Sequence, residues 1–103
     1  MENRNDIILK LPKAALLEQT AEEAAELAQA CLKLARICRG ENPTPVTEEK
    51  VIENFKEEVA DVNLCLEILD LIGYGESNSE MNDRLDGKVN RWVKRLEDAG
   101  YAH

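Results

Sequence analysis

The chain has 103 residues, of which 21 are acidic and 13 basic, for a net charge of −8. That length bounds one domain with a modest core. The acidity excludes a general nucleic-acid binder, because a phosphate backbone would be repelled, and no apolar run reaches the roughly 18 residues that a membrane span needs.

Ala, Leu, Glu and Lys are abundant and aromatics are scarce, a mixture that reads as all-helical. Residues 1–11 form a lead-in whose Ile7, Ile8, Leu9 and Leu11 are expected to pack on something. Its start, Met1-Glu2-Asn3-Arg4-Asn5-Asp6, lacks the apolar region of a signal peptide. Pro12 suits the first turn of a helix, and the pattern predicts one from there to Arg39, with Gly40 as its stop. Glu41-Asn42-Pro43-Thr44-Pro45 reads as a turn. Thr47 is placed to cap a second helix that runs to Ile72, ended by Gly73-Tyr74-Gly75. Ser77 with Glu80 forms a capping-box pattern ahead of a third helix, from Ser79 to Ala99. Cys31, Cys38 and Cys65 fall on apolar helix faces and are expected to be reduced core thiols, which points to a cytoplasmic protein. The expected fold is all-α: one compact domain over residues 1–103, an antiparallel helical bundle of two long helices and a shorter third. Leu17, Ala28, Leu32 and Ala35 lie opposite the side of the first helix that carries Glu26. A helix apolar on more than one face has more than one neighbour, so a second copy is expected to complete the bundle.

Two acidic clusters interrupt the apolar faces: Glu22-Glu23-Ala24-Ala25-Glu26 and Glu57-Glu58-Val59-Ala60-Asp61. On a helical wheel Glu58 lies within about 40° of Val51, Val62, Cys65 and Leu69. Asp61 falls between Ile68 and Ile72. Glu23 lies within about 40° of Leu16, Leu27, Ala30, Leu34 and Ile37, with Glu26 at the edge of that stripe and Glu22 outside it. Carboxylates on a face that must be buried are costly unless a cation receives them. Glu23 and Glu26, like Glu58 and Asp61, are three apart and share a helix face, so two antiparallel helices would bring four carboxylates together. Protonation is one relief for such a cluster, and a divalent cation is the other. Oxygen-only donors select Mg²⁺ or Mn²⁺. A di-iron bundle would use Glu-x-x-His pairs, whereas His103 is the one histidine.

On the third helix Arg84, Lys88, Arg91 and Arg95 form a basic stripe beside the apolar stripe of Met81, Leu85, Val89, Trp92 and Leu96. It serves either to pair with neighbouring acids or to clamp phosphates beside a metal. Trp92 and Tyr74 are each able to stack on a base, although the position of Trp92 on the apolar stripe favours packing.

With these residues, the chain resembles the MazG-like all-alpha nucleoside triphosphate pyrophosphohydrolases. The likeness rests on EEAAE at 22–26, EEVAD at 57–61 and KVNRWVKR at 88–95, and covers roughly residues 13–98. It implies Mg²⁺-dependent hydrolysis of an NTP or dNTP to the monophosphate and pyrophosphate by a homodimer or tetramer. It implies Glu23, Glu26, Glu58 and Asp61 as metal ligands and Lys88, Arg91 and Arg95 as phosphate contacts. Glu22 would serve a second ion or orient a ligand, and Glu22 or Glu23 would take the proton of the attacking water. The related phosphoribosyl-ATP pyrophosphohydrolases carry Tyr-His just after the second motif. Here Asn63 and Leu64 follow Val62. The alternative to an enzyme is a helical interaction module whose acids form a solvated seam; the two differ in whether the four acids converge or lie exposed and apart.

Overall fold

In the computed structural model, residues 1–41 and 46–101 are described. They form four α-helices: α1 Arg4–Lys10, α2 Lys13–Cys38, α3 Glu48–Leu69 and α4 Asn78–Asp98. Residues 42–45, most of the turn expected at 41–45, lie outside the described residues, as does His103.

The lead-in is itself a helix. The Asn3 side chain accepts from the Asn5 N–H at 2.9 Å, and the Asp6 carboxylate accepts from the Asn3 N–H at 2.7 Å. This box closes α1 at its start, and Pro12 follows its end. Arg4 meets Glu67 at 2.6 Å, which lays α1 against α3; both side chains are half exposed, so the pair orients more than it stabilises.

α2 ends as its sequence indicates. Gly40 N–H donates to Ile37 O, and Glu41 N–H to Arg36 O, the paired bonds of a Schellman end. Thr47 caps α3 by accepting from Lys50 N–H, while Glu48 and Glu49 in the first turn complement the helix dipole. α3 stops three residues short of the expected Ile72. A π-helical turn, Asp70–Tyr74, follows it. Gly73 sits there at φ +103°, a conformation that L side chains rarely adopt. Gly75 leaves room for a neighbour: a Cβ there would meet the Asp70 carboxylate at 1.6 Å, and that side chain would have to turn away. Ser77 and Glu80 form the expected box at the start of α4, and Gly100 and Tyr101 repeat the Schellman end.

α2 and α3 pack along each other as an antiparallel hairpin. Leu16 and Ala30 of α2, and Val51 and Ile68 of α3, are its fully buried residues. Among the described residues α4 has no extensive packing against either long helix. Its apolar stripe stands in solvent, with Trp92 61% exposed. The radius of gyration is 17.7 Å, against about 13 Å for a closed domain of this size. The described residues are therefore all-helical as expected, but they form an open arrangement rather than a compact three-helix unit. Two further expectations change for the same reason. Cys31 and Cys38 are exposed and Cys65 is half-buried, so the thiols are free but do not form a core. Trp92, expected on a packed face, is largely exposed among the described residues. Among the described residues no helix is long and apolar enough to cross a membrane.

Candidate metal centre

α2 carries Glu23 and Glu26 one turn apart, and α3 carries Glu58 and Asp61 in the same relation. The antiparallel register puts Leu16 and Ile68 around one cavity and Ala30 and Asn54 around another, with the four acids between. One carboxylate oxygen from each of the four lies within 4.8 Å of the others. Glu23 and Glu58 are half-buried, and Glu26 and Asp61 form the exposed side. The four acids converge, as the shared inward orientation predicts. Glu22 is exposed and outside the group.

The electrostatics are those of an uncompensated cluster. Burial is the largest cause raising the Glu23 carboxyl above its ordinary value, followed by the charges of Glu26 and Asp61. The Gln19 amide opposes this by donating to Glu23 Oε1 at 2.8 Å. Glu23 Oε2 and Glu58 Oε2 are shut off from solvent with no hydrogen-bond partner among the described residues. An oxygen in that position is costly unless something receives it. A hard divalent cation fits the donor set, because all four ligands are carboxylates and two of their oxygens are otherwise orphaned.

The basic stripe does not join this group within one protomer. Arg84 pairs with Glu76, its Nε donating to both carboxylate oxygens at 2.7 and 2.8 Å, so for this residue the ion-pair role holds. Lys88, Arg91 and Arg95 are exposed on α4, and no α4 cation acts on Glu23. Tyr74 lies under the Lys13 ammonium, 5.7 Å from the ring centre, at the far end of the hairpin from the acids.

Sequence patterning alone overlooks the two cavities that flank the carboxylates. One lies on the α1 side, walled by Ile7, Leu11, Leu16, Leu64 and Ile68, with Gln19 as its amide. The other lies toward the loop end and is lined by Gln29, Lys33 and Asn54. The signal was present: Gln19 precedes Glu23 by four, Asn54 precedes Glu58 by four, and Lys33 follows Glu26 by seven, so each shares a helix face with an acid. Comparison of the chain with protein-family models, with curated proteins and with solved structures returns no match.

Proposed function

We propose that this protein is a Mg²⁺-dependent hydrolase that converts a nucleoside triphosphate, NTP or dNTP, to the monophosphate and pyrophosphate, as the MazG-like resemblance implies. The observation that carries the proposal is the convergence of Glu23, Glu26, Glu58 and Asp61 within 4.8 Å, with two oxygens buried and unpartnered. A solvated seam of an interaction module would leave these acids apart.

Glu23, Glu26, Glu58 and Asp61 hold the cation; Mn²⁺ is the expected substitute. When bound, the ion neutralises phosphate charge and lowers the pKa of water. The chain's own groups do the rest. Water oxygen attacks the α-phosphorus, the bond to the α–β bridging oxygen breaks, and pyrophosphate leaves. The water's proton passes to a carboxylate, Glu23 within the cluster or Glu22 beside it. Lys88, Arg91 and Arg95 contact the phosphates once a second copy presents its α4, in a homodimer or tetramer working in the cytoplasm. The unpartnered apolar stripe of α4 supports that arrangement.

A pyrophosphate-release assay over the common NTPs and dNTPs tests this reading. The wild-type protein turns over at least one of them with Mg²⁺ and none with chelator. Glu58→Gln removes a ligand charge and abolishes turnover. Full turnover and full Mn²⁺ affinity in that variant would sink the assignment.

A further inference from the structure

The two cavities beside the carboxylates differ in chemistry, and they lie on opposite sides of the cluster along the hairpin. The α1-side cavity shares Glu23 and Asp61 with the cluster; the loop-side cavity shares Glu26 and Glu58. We infer that the three together form one polarised groove, which takes a single-ring base under α1 and the terminal phosphate at Lys33. The inference rests on the proposed hydrolase reading and assigns the direction in which the substrate lies.

The α1-side cavity has a volume of about 160 Å³. A cavity of about 150 Å³ lined by aliphatic side chains holds one benzene ring. Its walls are Ile7 and Leu11 from the α1 end, Leu16 from α2, and Leu64 and Ile68 from α3. Such walls take an uncharged ring and reject a phosphate, which would lose its hydration for nothing. By volume they match a single ring such as a pyrimidine, and the larger purine exceeds the space they enclose. Gln19 is the polar reader. Its NH₂ is held by Glu23, which leaves its carbonyl oxygen to accept from a ring N–H or exocyclic amine.

The loop-side cleft is the reverse. Among the described residues Lys33 is the one cation lining either cavity, and it forms no ion pair with them. Gln29 and Asn54 add amide donors around it. This end suits an anion. From Gln19 to Gln29 the helix advances about 15 Å, room for a ring, a sugar and a phosphate chain laid end to end across the carboxylates. α2 itself thus supplies one cation at this end, in addition to those that α4 of a second copy brings to the phosphates.

The test uses the full-length protein, Mn²⁺, inorganic tripolyphosphate as a ligand without a base, and non-hydrolysable pyrimidine and purine triphosphates. Calorimetry and turnover are measured for wild type, Cys65→Phe and Lys33→Ala. Cys65 lines the α1-side cavity, and a phenyl ring there fills it. A milder Leu64→Phe variant guards against misfolding, with helicity and Mn²⁺ affinity as the controls. The expected result is a pyrimidine preference of at least about ten-fold in wild type. Filling the cavity removes that preference, while Mn²⁺ and tripolyphosphate binding persist. Lys33→Ala weakens tripolyphosphate about ten-fold and leaves Mn²⁺ unchanged. Equal binding of purines and pyrimidines in wild type, or a filled cavity that leaves the preference intact, overturns the base assignment. Unchanged tripolyphosphate affinity in Lys33→Ala overturns the direction. Polarised binding without any turnover leaves the groove standing and fails the hydrolase reading. Turnover with no response to either variant does the opposite, and absence of both binding and turnover ends both.

Discussion

Glu23 ties the chemistry to a measurable pH dependence. Burial, then the charges of Glu26 and Asp61, raise its carboxyl in the folded chain. A carboxyl raised on folding contributes full stability below its unfolded-state pKa and loses it as pH rises through the higher folded-state value. The metal-free protein is therefore penalised on the alkaline side of that window. A divalent cation held as proposed would bind the ionised form and remove the penalty where it exists. Millimolar Mg²⁺ is expected to raise Tm more near about pH 8 than near about pH 5. An equal shift at both pH values would argue against a shared site at Glu23. Arg91 is a different kind of residue, exposed on α4 and without a ligand atom. Arg91→Ala is expected to leave Mn²⁺ affinity intact and to weaken a non-hydrolysable NTP by about 1.5–3 kcal/mol. Nucleotide binding equal to wild type would remove Arg91 from the site.

The helices differ in how far their own sequences specify them. α3 is framed by Thr47, whose hydroxyl accepts from Lys50 N–H. Thr47→Ala is expected to cost about 1 kcal/mol, read by urea denaturation, and to leave the acidic cluster unchanged because the cap is more than two turns from Glu58. Gly75→Ala has a different effect: its Cβ meets the Asp70 side chain, which must turn away, so the change is expected at the turn ahead of α4 more than in the hairpin. The ends of α2 and α4 and the start of α3 were legible because each carries a local signal, a cap residue or a glycine that acts over one turn. The four acids were legible because helical spacing fixes their faces and a short connection forces α2 and α3 antiparallel. α1 was not, because its box uses Asn3 and Asp6 instead of the Ser and Glu pattern, and seven residues show too little periodicity. The stop at Leu69 was also hidden, since the Asp70–Tyr74 turn continues the apolar pattern while widening the helix.

At the scale of the whole molecule, an apolar stripe on α4 predicts that something covers it but does not say what. Sequence periodicity therefore placed Trp92 on a packed face, and the protomer leaves it 61% exposed. The hairpin shows the same mismatch. Leu17, Ala21, Ala24, Ala28 and Cys31 form an exposed small apolar row on α2, on the side away from Glu26. Exposed rows on two helices, four buried apolar residues among those described and a radius of 17.7 Å together leave much apolar surface uncovered. A second copy is the proposed cover, because both rows belong to this chain and α4 is free to reach outward. Wild-type protein is then expected to sediment as a dimer or tetramer. Leu85→Glu combined with Trp92→Glu places two charges on the α4 stripe and is expected to shift the population toward monomer. Helicity falls only in part, since an unsupported helix of 21 residues is marginal in water while the α2–α3 hairpin keeps its own contacts. If the cluster holds a cation as proposed, Mn²⁺ binding is expected to persist, because all four carboxylates come from one hairpin. NTP turnover drops if α4 of the second copy supplies the phosphate contacts. Sedimentation velocity with parallel Mn²⁺ titration separates the cases: a wild-type monomer with full turnover would show that α4 serves something other than a second copy.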